Sequence, residues 1–325
     1  MTSDDEPNNK HAIELHIKPL FPDLAATVRR KIRRYKRVPR AICTEHKAKF
    51  IEQYLRIFVQ ITKHGAYIDG FAGPQYLDRL DSWAAALVLK SEPKWLRHFF
   101  LCELSRKGIK ALNKLVQEQP TPRDRRGRKL SRNIEVWPGD FNANIDKILR
   151  SGKITQKEAT FCLLDQRTFE CHWETVKKLA RYKKPAHNKI EILYFLGVGW
   201  LHRAFSGVHR KTTLEKWWGR DDYGRLTSMS SWEIAELVRK RFAEELGYAY
   251  VAAYPIFDRD RSNKVMYYMI HASDHDEAPA LMVRAHHKAV RGLPKEVQLP
   301  LISDASSPMV ESNRASVAPF GRSNC

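Results

Sequence analysis

Acidic residues follow short apolar runs at four points along the chain, and their type and position suit them to ligand binding. Each run lacks polar alternation and leads into a helical pattern, which is typical of parallel strands buried on both faces. Because the carboxyl ends of parallel strands meet at one edge of a sheet, we expect these side chains to line one crevice. There they would accept hydrogen bonds from hydroxyl or amine groups of a ligand. The residues are Asp69, Glu103, Asp140 and Asp165.

A glycine-containing turn follows the first of these runs, within the stretch Gly65–Pro74 (G-A-Y-I-D-G-F-A-G-P). Gly70 and Gly73 permit backbone dihedral angles that are closed to other residues, and they let the main chain approach a ligand closely. Loops in this position bind nucleotide-like cofactors in open α/β sheets. The alternative is a strand followed by an ordinary tight turn.

The rest of the pattern predicts an α/β fold in which helices cover a mostly parallel sheet. Its first strand contains Tyr67 and Ile68 and follows an amphipathic helix that begins at Thr44. Residues 249–272 form a predicted antiparallel hairpin at the sheet edge. An aromatic-rich helical insertion is predicted over 199–247, and a last helix over 278–290. The other predicted strands are Trp95–Leu104, Ile134–Trp137, Ala159–Leu164 and Ile190–Leu196.

The charge balance predicts a polyanionic partner. The chain has 57 Lys and Arg against 37 Asp and Glu, which gives a formal net charge of +20. Such an excess attracts nucleic acid, whereas a basic surface that serves only solubility is the alternative. The cations concentrate in the run Thr27–Arg40 and in the loop Pro120–Arg132. The predicted phosphate contacts are Arg29, Arg30, Arg33, Arg34, Arg37, Arg125, Arg126 and Arg128.

Several classes of protein and site are disfavoured by the same sequence. No apolar run approaches the roughly 18 residues of a membrane span and no signal peptide is apparent, so we expect a cytoplasmic protein. The five cysteines form no C-x-x-C pair and are odd in number, which predicts reduced thiols and no metal site. P-loop, HExxH and G-x-S-x-G strings are absent, and the turn fits a dehydrogenase poorly. The patterns together divide the chain into a basic arm (1–43), a main α/β domain (44–290) that contains the helical insertion, and a disordered tail (291–325).

The ordered set of turn and acidic residues resembles the class I S-adenosylmethionine (SAM)-dependent methyltransferases. The resemblance implies a Rossmann-like sheet, mostly parallel, with an antiparallel edge hairpin and here a helical insertion. It also implies SAM as cofactor: the first acidic residue and glycine turn face its amino-acid portion, the second acidic residue its ribose and the third its adenine. For Asp140 the alternative is that it only caps the following helix. The implied cofactor contacts are Asp69, Gly70, Phe71, Gly73, Glu103, Asp140 and Phe141.

The chain also resembles a narrower family, the three-Cys-motif partner proteins, over about residues 44–290. That resemblance implies a methyltransferase-type fold and cofactor pocket, and an associated protein that bears three cysteines. It is carried by Glu45–Phe58 (E-H-K-A-K-F-I-E-Q-Y-L-R-I-F), Tyr67–Pro74, Gly139–Asn142 (G-D-F-N), Asp165–Glu170 (D-Q-R-T-F-E) and Tyr267–His275.

The fourth motif departs from the pattern of methyltransferases that act on base amines. Those enzymes carry an Asp/Asn-Pro-Pro-aromatic string, in which the acid and a proline carbonyl accept from the amine while the aromatic ring stacks on an extruded base. Here the string begins at Asp165, the predicted catalytic residue, and Phe169 is the predicted stacking ring, with Tyr194 a weaker candidate for the opposite wall. The alternative is that Asp165 caps the next helix. Two functions therefore stay open: a methyltransferase of nucleic acid, or a divergent partner protein in a mobile-element or defence-type complex.

Overall fold

An eight-stranded sheet lies at the centre of the computed structural model, which describes residues 42–43, 47–77, 79–123, 126–205, 211–257 and 265–289. The basic run Thr27–Arg40, Arg125 and the tail 291–325 lie outside these residues. The strands are β1 (Ile42–Cys43), β2 (Ala66–Asp69), β3 (His98–Glu103), β4 (Asn133–Pro138), β5 (Thr160–Leu164), β6 (Glu191–Leu196), β7 (Tyr250–Phe257) and β8 (Val265–Ser273).

The strand order is β1-β7-β8-β6-β5-β2-β3-β4. Strands β2 to β6 run parallel to one another, and β8 is inserted antiparallel between β6 and β7. After the short edge strand β1, the chain enters the middle of the sheet at β2, builds outward to β4, and returns to build the other half from β5. This arrangement is a methyltransferase-like Rossmann fold, and the predicted fold class is confirmed.

Two layers of helices cover the sheet. Those on one face surround the aromatic core of β2, β3 and β5, and those on the other face include the helical insertion. The first layer contains α1 (Lys47–Thr62), α2 (Ala84–Lys90), α3 (Arg106–Gln117) and α9 (Ala278–Ala289). The second contains α4 (Phe141–Leu149), α5 (Trp173–Arg181), α6 (Val198–Phe205), α7 (Lys211–Trp218) and α8 (Ser231–Glu244), with a 3-10 helix over Asp221–Ser228.

The alternation of side chains across each strand explains why both layers are needed. Tyr67 of β2 and Phe161 of β5 point to the face that carries α1, where Tyr54 packs on Phe161 at a centroid distance of 5.5 Å. Ile68 and Cys162, their chain neighbours, point to the other face. Every one of these side chains is at most 1% exposed. Full burial of one large apolar side chain contributes about 1.5–3 kcal/mol, so the strand ends are held firmly in place.

One strand was not predicted from the sequence. The backbone of Ile42–Cys43 pairs in parallel with Ile256–Phe257 of β7 at the edge of the sheet. Two residues are too few for a period-2 pattern to be recognised, and they follow directly on the basic run. The predicted boundary at residue 43 stays a prediction.

A buried arginine joins the helical insertion to α5, one of the helices that cover the sheet. The guanidinium of Arg241, on α8, lies 3.9 Å from the ring centroid of Trp173 and 4.2 Å from that of Trp218. It also donates a hydrogen bond of 2.8 Å to the carbonyl oxygen of Trp218. Glu245 accepts from the same guanidinium at 2.7 Å, which neutralises the buried charge. The described residues of the predicted insertion 199–247 contain α6, α7, the 3-10 helix and α8, and its bounds stay a prediction.

Three features of the described residues relate to the expectations from the sequence. Among those residues, no helix combines the length and the apolar character that a membrane crossing requires. The same residues contain no group of His, Cys, Asp or Glu side chains arranged to hold a metal ion. Cys102, Cys162 and Cys171 are buried free thiols.

Candidate active site

Asp69 ends β2 and organises the glycine turn behind it. Its carboxyl accepts a hydrogen bond of 3.0 Å from the Tyr67 hydroxyl and one of 3.1 Å from the Phe71 backbone N–H. Burial, with a smaller contribution from the negative charges of Asp165 and Glu103, raises the pKa of Asp69 to about 7 against the opposing effect of the two hydrogen bonds. Near neutral pH the protonated and the ionised form of this carboxyl are therefore both populated.

Glu103 ends β3 and reaches across to the turn. Its Oε2 accepts from the Gly73 N–H at 2.9 Å, and its Oε1 accepts from the Ser105 N–H at 2.7 Å. A Cβ atom added to Gly73 would lie 2.0 Å from Oε2, so only glycine permits this close contact. Ser105 then caps α3 by accepting from the Gly108 N–H. The sequence thus brings the second acidic residue directly onto the glycine turn.

The loop after β4 begins a helix. Asp140 is the N-cap residue of α4, and its carboxylate accepts from the Asn142 N–H at 3.0 Å. The next side chain, Phe141, is 2% exposed and lies beneath the glycine turn, because a Cβ on Gly70 would be 2.9 Å from its Cδ1. The ring of Phe71 meets that of Phe141 edge to face at 6.0 Å. A cap role for Asp140 is therefore observed, and its predicted adenine contact stays a prediction.

Asn142 joins two loops of the crevice, and sequence reasoning did not assign it a role. Its amide nitrogen donates to the Glu170 carbonyl oxygen at 2.8 Å, and its Oδ1 accepts from the His172 N–H at 2.9 Å. The Thr175 hydroxyl donates to the same oxygen at 2.8 Å. The loops after β4 and β5 are therefore joined to each other by three hydrogen bonds of one side chain. The only sequence signal was its place in the G-D-F-N string.

Asp165 follows β5 and forms an ion pair with a residue that the sequence analysis did not single out. The Lys47 ammonium donates to Oδ1 at 2.9 Å and lies 2.7 Å from Oδ2. The two side chains are only 19% and 17% exposed. The ammonium also lies 5.6 Å from the ring centroid of Phe195 and 5.5 Å from that of Tyr267. Asp165 therefore shares its site with an internal cation and two aromatic faces.

Gln166 holds the loop at the position where related motifs carry proline. Its side chain is 1% exposed, its Nε2 donates to the Phe195 carbonyl oxygen at 3.0 Å, and its Oε1 accepts from the Cys171 N–H at 2.8 Å. The Arg167 guanidinium donates to the Pro74 carbonyl oxygen at 3.3 Å, which ties this loop to the glycine turn. These hydrogen bonds restrain the backbone of the loop, as the missing prolines would.

Phe169 and Tyr194 are packed inside the protein. The ring of Phe169 is 2% exposed and meets Trp217 edge to face at 4.8 Å. Tyr194 is 1% exposed, packs against Phe242 at 5.6 Å, and burial raises the pKa of its hydroxyl. Stacking of a base on either ring would require the ring to leave this packing, so those two roles stay predictions that need a local rearrangement.

Two further features lie at opposite ends of α3. Leu104, directly after Glu103, is 71% exposed at the crevice edge. The basic loop forms a small hairpin, closed by an antiparallel bridge between Arg123 and Lys129, and it carries the exposed Arg126 and Arg128. Because this hairpin precedes β4, it lies at the amino-end edge of the sheet, about 20 Å, the length of β3, from the crevice.

Comparisons with known proteins return similarity of structure and not of sequence. No family model and no curated protein matches the chain. Protein LPL1258 from Legionella pneumophila, assigned to family model DUF519, is 9% identical with a TM-score of 0.43, over 76% of this chain and 92% of that one. The methyltransferase domain of a bacterial Hen1 protein, CtHen1, is 13% identical with a TM-score of 0.38, over 69% of this chain and 99% of that one.

Proposed function

We propose that this protein is a SAM-dependent methyltransferase that acts on nucleic acid. The observation that carries the proposal is the arrangement of Asp69, Glu103 and Asp165 at the carboxyl ends of three adjacent parallel strands around one glycine turn. Each of the three can interact with a different part of a nucleoside-like, positively charged cofactor.

The donors and acceptors around Glu103 fit the ribose of SAM. Each of its carboxylate oxygens accepts one backbone N–H, from Gly73 or Ser105, and retains capacity for a second hydrogen bond. Two such oxygens in a fixed orientation match two neighbouring hydroxyls. Leu104, exposed beside them, supplies an apolar surface for the adjoining adenine ring. The close contact of Gly73 with Glu103 explains why a side chain at position 73 would disturb this site.

Asp69 fits the ammonium group in the amino-acid portion of the same cofactor. Its carboxyl is buried next to the turn and has a pKa of about 7, so a cation brought beside it favours the ionised form. Because Phe71 and Tyr67 hold both oxygens in place, ionisation needs no rearrangement of the turn. The site therefore accepts a positive ligand by releasing a proton.

Asp165 is the residue proposed to take up the proton of the methyl acceptor. Bound SAM would supply an electrophilic methyl group on a sulfonium. Lys47 keeps the carboxylate of Asp165 oriented, and the remaining lone pairs of that carboxylate accept from the amine of the acceptor. Phe195 and Tyr267 limit access of water to this ion pair.

The net charge of +20 supports nucleic acid as the substrate. The basic run with Arg29, Arg30, Arg33, Arg34 and Arg37 would add phosphate contacts, as would the hairpin loop, and a cytoplasmic location agrees with such a substrate. Each contact of this kind releases counterions and makes binding dependent on salt.

A second candidate function is a methyltransferase-fold partner protein that binds the cofactor without transferring its methyl group. The observation that favours it is the ion pair of Asp165 with Lys47, which already uses the carboxylate that catalysis requires. In that case the surface of the domain would serve assembly with another protein, such as one bearing three cysteines.

Binding and transfer are tested in sequence. Calorimetry with SAM and with its demethylated product measures cofactor binding, and Glu103→Gln is expected to weaken it by about 1–3 kcal/mol because one charged acceptor is lost. Glu118→Gln, at the far end of α3, is the matched control. Transfer of a radiolabelled methyl group to DNA, RNA or protein then separates the two functions. Saturable binding with no transfer would favour the partner protein, and no binding would refute both.

A further inference from the structure

The outward face of α3 carries a row of side chains, and all but one of them can donate hydrogen bonds. Arg106, Lys110 and Lys114 follow one another at intervals of four residues, so they lie on one face of the helix. Asn113 and Gln117 add amide groups beside them, and Ile109 is the one apolar member of the row. We call these six residues the α3 stripe. The three cationic side chains are exposed, and no member of the stripe is acidic.

The position of the stripe relates it to the candidate site. Arg106 is the first residue of α3 and stands three positions after Glu103, at the crevice edge of the sheet. The other end of α3, at Gln117, leads within six residues to Arg123 and the basic hairpin. The stripe is therefore the connection between the crevice and the hairpin, which otherwise lie at opposite edges of the sheet.

We propose that the α3 stripe is a binding track for the phosphate backbone of a nucleic acid that enters the crevice beside Leu104. The three cations span about 12 Å of helix, over which one strand of B-DNA carries three to four phosphates. The amides of Asn113 and Gln117 donate to the same oxygens, as neutral side chains do in many phosphate contacts. The proposal rests on the nucleic-acid substrate proposed above.

Charge along the stripe favours nucleic acid over an acidic protein. Lys114 lies 3.8 Å from Glu118, and both side chains are more than half exposed, so this weak pair exchanges readily for a phosphate contact. A protein partner would be expected to meet a larger apolar centre than the single half-buried Ile109. A stripe with one apolar residue and donors on all sides suits a ligand whose outer surface is anionic throughout.

The test is a salt titration of binding by the full-length chain. Lys110→Gln/Lys114→Gln removes two cations from the stripe, and Lys211→Gln/Lys240→Gln removes two exposed cations from α7 and α8 on the other face of the sheet. The probes are a DNA duplex of random sequence, its single strand and the RNA of the same sequence. We expect the stripe variant to bind several-fold more weakly to at least one probe, with a salt slope lower by about 2, and the control to change neither.

Each outcome decides the proposal. An unchanged salt slope in the stripe variant, while the wild type binds nucleic acid, overturns the track and leaves the proposed function intact. Equal losses in both variants reduce the stripe to general surface charge and also overturn it. Absence of wild-type binding to all three probes overturns both the track and the nucleic-acid substrate. SAM calorimetry on the same variants is expected to be unchanged, which shows that the crevice is still folded.

Discussion

The ammonium of Lys47 lies 2.7 Å from Oδ2 of Asp165, although 118 residues separate the two in the chain. The pair connects the first turn of α1 with the loop after β5, next to the rings of Phe195 and Tyr267. Because aromatic faces and carboxylate oxygens both surround the cation, the position of the Lys47 ammonium is more closely defined than that of a cation in an exposed surface pair.

Removal of the Lys47 charge is expected to destabilise the fold. Lys47→Met keeps most of the length of the side chain but leaves the Asp165 carboxylate, 17% exposed, without its cation. We expect the free energy of unfolding in urea to fall by about 1–3 kcal/mol. Lys47→Met/Asp165→Asn should recover part of that loss, which yields a coupling energy above about 1 kcal/mol in a double-mutant cycle.

The exposed pair Lys177–Glu174 is the control for that cycle. Its side chains are 28% and 65% exposed, and its N–O distance is 3.2 Å. The same cycle there, with Lys177→Met and Glu174→Gln, is expected to give about 0.5 kcal/mol or less. Equal coupling energies at the two pairs would mean that the Lys47–Asp165 contact is an ordinary surface pair.

Alanine at position 73 is expected to disrupt the contact between the glycine turn and β3. All three atoms nearest the added Cβ belong to Glu103, the closest at 2.0 Å, so Glu103 must move or the turn must open. We expect Gly73→Ala to lose about 1–3 kcal/mol of stability and to weaken SAM binding. Gly224→Ala is the control, because its Cβ would meet no heavy atom within 4 Å.

A second substitution separates the clash from other effects of Gly73→Ala. Gly73→Ala/Glu103→Ala removes the side chain that the new Cβ meets, so stability in urea should return while SAM binding stays weak. A double variant no more stable than Gly73→Ala would show that backbone conformation, and not the Glu103 contact, requires glycine at this position.

How far the site could be predicted depends on how local each feature is. The strand ends at Asp69 and Glu103 were predictable because buried parallel strands read as unbroken apolar runs that stop at a polar residue. The Lys47–Asp165 pair was not, since Lys47 reads as one more cation on an amphipathic helix and only the tertiary fold brings it to β5. Spacing within the chain holds no information on such a contact.

Burial was the other property that the sequence did not reveal. Phe169 lies four residues beyond Asp165, which is compatible with a ring at the mouth of the crevice, but the helical insertion covers it through Trp217. Tyr194 is covered in the same way by Phe242 of α8. Where an insertion packs cannot be inferred from its aromatic content alone, because the same residues would serve a core or a binding wall.

Asp69 is expected to make stability fall as the pH rises toward neutrality. Its pKa is about 7 in the folded protein against an ordinary value of 3.8, so between these values the folded state binds a proton that the unfolded state has lost. Folding is therefore favoured at the acid end of that range, and this contribution is lost as the pH rises to about 7. The slope from this one group is at most about 1.4 kcal/mol per pH unit.

Two measurements check this expectation. Urea unfolding between about pH 5 and about pH 8 should show a shallower pH dependence in Asp69→Asn than in the wild type. SAM binding near pH 7 should release a proton from wild-type Asp69, which appears as a dependence of the binding enthalpy on the ionisation enthalpy of the buffer. Identical pH dependences in wild type and variant would show that Asp69 titrates in its ordinary range.

The last prediction concerns Asp165 as the acceptor of the proton released in methyl transfer. Asp165→Asn preserves the shape of the side chain and one acceptor oxygen but removes the charge and the ion pair with Lys47. We expect transfer of a radiolabelled methyl group to fall by roughly 10²-fold or more, the usual contribution of a positioned acid–base group. SAM affinity should be kept, because the predicted cofactor contacts lie at the ends of β2 and β3 and in the turns after β2 and β4.

Two further variants are the controls for Asp165→Asn. Asp146→Asn breaks the pair of Asp146 with Lys178 on the surface of α4 and α5, at 2.6 Å, and should leave transfer unchanged. Lys47→Met removes the same ion pair as Asp165→Asn but leaves the carboxylate, so it should retain more activity if the carboxylate itself takes the proton. Full activity in Asp165→Asn would eliminate this residue as the proton acceptor. If the wild-type protein binds SAM but methylates neither DNA, RNA nor protein, this chain is instead a partner protein. In that case the Lys47–Asp165 pair closes the position where a methyl acceptor would bind.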